Sequence, residues 1–139
     1  MASVISAMPD SKPSLNRELD ELRLVAIGAV PGALLRWQIT SQINDQNLFV
    51  NVFGAAVLGI LVGLQSSSKR TLLIGVGFCG SLTTFSGWIL AALRSLAAGD
   101  WRQCITLIAT TLVLGLAAGA VGLLIGRWLR PQALPRSRL

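Results

Sequence analysis

Four apolar runs joined by connectors of a few residues leave this chain little choice except a bundle of membrane-crossing helices. The runs extend from Leu22 to Ile43, Leu48 to Leu64, Leu72 to Leu96 and Ile105 to Trp128. Each is near the roughly 20 residues that a spanning helix needs. The second is short and the third is long, as expected if the third contains a break. Connectors at 44–47, 65–71 and 97–104 place successive helices antiparallel and adjacent. The composition agrees: 53% of the 139 residues are hydrophobic and only 13% are charged.

The flanks differ in kind. Residues 1–21 are polar, with Pro9, Pro13 and several serines, and are expected to form a disordered extension. They lack the basic start and long apolar core of a secretory signal. Residues 131–139 form a basic, proline-containing tail, expected to be loose, and 22–130 form the membrane domain.

The charges exclude several functions. Histidine is absent, and all six acids (Asp10, Glu18, Asp20, Glu21, Asp45 and Asp100) lie outside the apolar cores or at their ends. A proton-coupled exporter of cationic drugs needs a carboxylate within the membrane, and none is present. The net charge of +6 flanks the apolar runs and forms no soluble basic face, so nucleic acid is not an expected partner. Lipid headgroups and topology explain it better. Four spans put both termini and the second connector on one side, with Lys12, Arg17, Arg23, Lys69, Arg70, Arg127, Arg130, Arg136 and Arg138. The other side holds Arg36, Arg94 and Arg102. The positive-inside rule then places both termini in the cytoplasm. Cys79 and Cys104 have no metal-ligand spacing and read as small packing residues.

Small residues recur at helix-packing intervals. Gly28 and Gly32 are four apart, as are Gly59 and Gly63, and Gly115, Gly119, Gly122 and Gly126 form a strip on the fourth run. Such strips let helices approach closely. Four helices are few for a pore, so some strips are expected to face another subunit.

The polar residues inside the runs carry the chemistry. Asn51, early in the second run, costs transfer energy unless its amide finds partners. Its NH2 suits either a carbonyl of a neighbouring helix or an anion. Arg36 either snorkels to the interface or draws anions to a vestibule. Residues 77–88 pack glycines, hydroxyls and three aromatic rings into twelve positions. Gly77 and Gly80 loosen the helix, while Ser81, Thr83, Thr84 and Ser86 supply hydroxyls. Phe85 and Trp88 are three apart and share a face on a resumed helix. Their ring edges are electropositive and can meet an anion. Unwound carbonyls suit a hard cation. The same pattern also fits a plain glycine kink with hydroxyls satisfying the freed backbone. In the fourth run, Thr106, Thr110 and Thr111 either bond back to their own helix or form a polar track.

Together these residues resemble the Fluc (CrcB) family of fluoride channels, from about Gly28 to Gly126. The resemblance rests on Gly32-Ala33-Leu34-Leu35-Arg36-Trp37, on Val50-Asn51-Val52-Phe53-Gly54, and on a threonine before Leu112-Val113-Leu114-Gly115. Most specific is Gly77-Phe78-Cys79-Gly80-Ser81-Leu82-Thr83-Thr84-Phe85-Ser86. It implies an all-α integral membrane protein of four transmembrane helices, broken in the third, assembling as an antiparallel dual-topology dimer in the bacterial inner membrane. It also implies passive fluoride export through two pores and a central structural Na+. Asn51 would donate to fluoride, Phe85 and Trp88 would present ring edges, and Thr84, Ser86 and Thr111 would lie along the pathway. Arg36 would stand near the entrance. The carbonyls of Gly80 and Thr83 from both subunits would hold the sodium ion. Three positions depart from the family's usual pattern: Trp88 replaces a phenylalanine, Gly87 a threonine, and Ser81 a glycine. The partner would be a second copy in the opposite orientation or an oppositely oriented homologue. The uneven flanking charge either is too weak to fix one orientation, since the nearer basic residues are few, which keeps the homodimer as the preferred assembly, or it calls for the homologue; a non-conducting partner subunit is the rival reading.

Overall fold

The computed structural model describes residues 15–42 and 47–130, and these are helical almost throughout. Helix α1 is Leu15–Gln42 and α2 is Leu48–Gly63. Helix α3 covers residues 68–82, α4 is Phe85–Ala97 and α5 is Trp101–Leu129. Residues 68–97 make one interrupted span, so the chain is a four-span, all-α integral membrane protein. Three spans are long and apolar enough to cross a membrane, and α2 is a shorter apolar helix of 16 residues.

Helix α1 corrects the expected tail boundary. It begins at Leu15, inside the segment read as disordered. The reason is local: Arg17 bonds Glu21 four residues on, and Arg23 bonds Asp20, so charges at helical spacing carry the polar turns. Residues 1–14 and the tail 131–139 lie outside the described residues.

Helix ends are set by identifiable caps. Helix α2 opens after Asn47 (φ 64) and closes before Gln65 (φ 49), both in the left-handed region. Ser66 N–H then bonds Leu61 O and Gln65 N–H bonds Val62 O. Helix α4 ends the same way at Gly99, with φ 80, where Asp100 N–H reaches Ser95 O. This is the glycine C-cap that reverses a chain at little cost. Asp100 at once caps α5, its Oδ1 accepting from Gln103 N–H at 3.0 Å.

The glycine strips are consumed mainly within the protomer. A Cβ on Gly28, Gly32 or Gly77 would strike the backbone across the α1–α3 contact. A Cβ on Gly59, Gly63, Gly122 or Gly126 would strike it across the α2–α5 contact. Bare backbones therefore pack at both crossings, as small residues permit in membranes. Only the upper end of the α5 strip escapes, since a Cβ on Gly115 would meet nothing within 4 Å. The enclosed core is small: Val50, Cys79 and Leu82 are fully buried, and Trp88 nearly so. Large apolar side chains such as Leu116, Ile27 and Trp128 stand exposed, as a lipid-facing surface requires.

Candidate ion site at the helix break

The third span does not break at its glycines. Residues Thr71–Cys79 wind in wide π-helical turns, and Gly80 N–H reaches back five residues to Gly75 O. The helix is thus loosened around Gly77 and Gly80 but not interrupted there. The interruption comes at Thr83 (φ −76, ψ 153) and Thr84 (φ −143, ψ 125), both extended. Two β-branched residues in succession suit that conformation.

A side chain from another helix holds the break open. Asn51 Nδ2 donates to Thr84 O at 3.0 Å, and Thr84 N–H donates to Asn51 Oδ1 at 2.8 Å. One amide thereby pairs both backbone groups of Thr84, which would otherwise be orphaned at membrane depth. The second hydrogen of that NH2 has no partner among the described residues. Thr84 also starts α4, its Oγ1 accepting from Gly87 N–H at 3.3 Å and lying 3.3 Å from Ser86 Oγ.

These bonds free carbonyls. The Thr84 N–H, which would close a helical turn onto Gly80 O, goes to Asn51. The Gly87 N–H, which would close onto Thr83 O, goes to Thr84 Oγ1. Gly80 is exposed on the protomer surface. Neutral carbonyl oxygens released in this way fit a hard cation such as Na+. Arg36 Nη1 reaches Thr83 O at 3.4 Å, the outer limit of a hydrogen bond, which leaves a lone pair of that oxygen available. Arg36 therefore points at the break rather than simply snorkelling to the interface.

An open groove of about 290 Å³ runs beside the break, lined by Asn51, Thr83, Thr84, Phe85, Trp88 and Thr111 together with Ala55, Leu58 and Leu112. Five of the expected pathway residues meet there. Arg36, Ser86 and Gly80 do not line it. Phe85 is 72% exposed, whereas Trp88 is only 7% exposed; their rings stand 5.1 Å apart at 80°. Thr111 is buried, while Thr110 bonds back to Thr106 O at 2.6 Å and lies outside the groove. The apolar lining went unread in the sequence. Ala55 and Leu58 follow Asn51 by four and seven residues, so helical spacing from the asparagine was the available signal.

The departures at Gly87 and Ser81 have local causes. A Cβ at Gly87 would strike the Asn47 side-chain amide. The Ser81 hydroxyl sits against α1 and α3 carbonyls, 2.9 Å from Ala29 O and 2.8 Å from Gly77 O.

Comparison with known families bears on this arrangement. The family described as CrcB-like protein, Camphor Resistance (CrcB), matches residues 23–123. The chain belongs to the CrcB family. It is 58% identical over 130 residues to "Fluoride-specific ion channel FluC 2" of Synechococcus sp. (strain CC9605), covering 94% of this chain and 98% of that protein. It is 57% identical over 130 residues to FluC 2 of Parasynechococcus marenigrum (strain WH8102), with the same coverage. The same organism has a "Fluoride-specific ion channel FluC 1", 35% identical over 119 residues, covering 78% of this chain and 94% of that protein. The CrcB match and the apolar spans make the chain a multi-pass membrane protein.

Proposed function

We propose that the chain is a subunit of a fluoride-selective channel that lets F− leave the cytoplasm passively, and is not an enzyme. The observation that carries this reading is the groove beside the break. It brings together the Asn51 amide, the Phe85 ring, Trp88 and Thr111, and among the described residues no charged side chain lines it. Fluoride is small, strongly hydrated and a strong acceptor. Shedding its water requires donors and positive ring edges, while leaving again requires that no cation trap it. Neutral donors meet both needs. Fluoride enters cells as the neutral acid and is held inside as the anion, so a negative interior drives it out through a passive path. The names of the relatives support the same ion.

The groove is open on one side, so a second subunit in the opposite orientation would complete the path. The carbonyls of Gly80 and Thr83 from both subunits would hold a structural Na+ between them. It would supply a fixed positive charge at the centre of the assembly. Arg36 would add positive potential on the α1 side of the break.

One observation favours a second reading of the partner. Nine basic residues flank one face of the chain and three the other, which biases insertion toward one orientation. The presence of FluC 1 and FluC 2 in one relative's organism supports an oppositely oriented homologue as the companion.

Reconstitution in liposomes tests both. The chain, alone and with a co-expressed homologue, is loaded with fluoride or chloride and efflux is followed with an ion electrode. Fluoride efflux without chloride efflux is expected. Efflux that needs a proton gradient, or none under either condition, overturns the channel. Activity of the chain alone overturns the need for a homologue.

A further inference from the structure

We propose that the Trp88 indole N–H is itself a fluoride donor, binding the ion by a hydrogen bond rather than by a ring edge. This rests on the fluoride reading above. Trp88 is 93% buried by complement of its 7% exposure, and it lines the groove with Asn51 and Thr111. Its Nε1 makes no hydrogen bond to any described residue. Yet among the described residues no enclosed side-chain nitrogen or oxygen lacks a partner. The indole nitrogen therefore keeps access from within a buried ring, and the opening that ring lines is the groove. An indole nitrogen can only donate. A donor that reaches only into a groove is satisfied only by what enters that groove.

The ring is also held. Phe85 stands against it at 5.1 Å and 80°, and Phe85 itself stays exposed, so its own rim remains available. The groove then offers one amide hydrogen from Asn51, one indole hydrogen from Trp88 and one ring rim from Phe85. Of the two aromatic contributions the N–H is the stronger. A hydrogen bond to an ion exceeds a neutral one about twofold in strength, whereas a ring edge carries only the partial charge of a quadrupole. Tighter holding should slow departure, since conduction depends on release as much as on entry. A Trp88 site should thus saturate at lower fluoride and pass fewer ions per second than a site with two ring edges.

The test replaces only the hydrogen. The full chain, with its companion if one is required, is prepared with β-(3-benzothienyl)alanine at position 88, where sulfur takes the place of the N–H and the bicycle keeps its size. The concentration of fluoride that half-saturates efflux is expected to rise about tenfold, the effect of one hydrogen bond to an ion. An unchanged value overturns the proposal. In parallel, the indole protons of the 15N-tryptophan protein are followed by NMR, with Trp88→Phe assigning the signal. Fluoride, but not chloride, is expected to move the Trp88 indole proton downfield while those of Trp37, Trp101 and Trp128 stay in place. Efflux with an unmoved Trp88 signal refutes the donor and leaves the channel standing. A moved signal in a protein that passes no fluoride keeps the donor and refutes the channel.

Discussion

Asn51→Asp is the sharpest perturbation this architecture allows, because it changes one NH2 to an oxygen and almost nothing in size. The acceptor for Thr84 N–H survives, so the 2.8 Å bond is retained. The donor to Thr84 O, at 3.0 Å, becomes an oxygen facing an oxygen. Losing that bond costs about 1–3 kcal/mol, since the carbonyl is left unpaired in a part-buried place. The larger effect falls on the ion. A carboxylate about 4 Å from a passing fluoride repels it by about 4 kcal/mol at an effective dielectric constant of roughly 20. That corresponds to a loss of about a thousandfold in the rate of passage. The assay is passive efflux from liposomes, with gel filtration and circular dichroism showing that the variant remains folded. Fluoride efflux within about twofold of the parent, in a folded variant, would refute the assignment of Asn51 to the path.

Three further outcomes are expected. Phe85→Ile should lower fluoride efflux more than tenfold while leaving thermal stability nearly unchanged, because the ring is 72% exposed in the protomer and its removal empties no core. Gly122→Val should split α2 from α5, since even a Cβ there strikes Ala56 O; overpacking of this kind costs about 1–3 kcal/mol or more. Gly115→Ala, which meets nothing within 4 Å, should leave protomer helicity and melting unharmed, and equal damage by both would refute the packing assignment. Ser81→Ala should lower the melting temperature modestly, by about 1 kcal/mol of stability, with conduction intact, because its hydroxyl ties α1 to α3 and lies outside the groove.

What the sequence disclosed and what it hid follow from the range of the interactions. Spans, connectors and glycine strips are local patterns, and they read correctly because a spanning helix satisfies its own backbone. The partners of the strips were harder. Gly59, Gly63, Gly122 and Gly126 looked able to face a second subunit, yet the α2–α5 contact within one protomer consumes them. Spacing shows that a helix can approach and does not show which helix. The position of the break was similarly hidden. Glycine suggests looseness, and the wide turns at 71–79 bear that out, but the chain opens three residues beyond Gly80. What decides the point is Asn51, which lies 33 residues away from Thr84 in sequence. The helical start at Leu15 is hidden for a different reason: polar composition suggests disorder, although the charges fall at helical spacing.

The sequence left two roles open for Asn51, glue between helices and donor to an anion. The structure shows the first, in the paired bonds to Thr84, and the proposed channel would join the second to it. An opened helix in lipid must satisfy the backbone it exposes. At Thr84 that means one acceptor for the N–H and one donor for the carbonyl. A primary amide supplies both and still has a hydrogen left, because its nitrogen carries two. Aspartate lacks the donors, and serine lacks the span to pair both groups. Glutamine has the chemistry, but its extra methylene would carry the amide past Thr84. The residue that keeps the break open also lines the groove with a hydrogen to spare, so in the proposed channel the structural and conducting roles would not be separable by moving the asparagine elsewhere on α2.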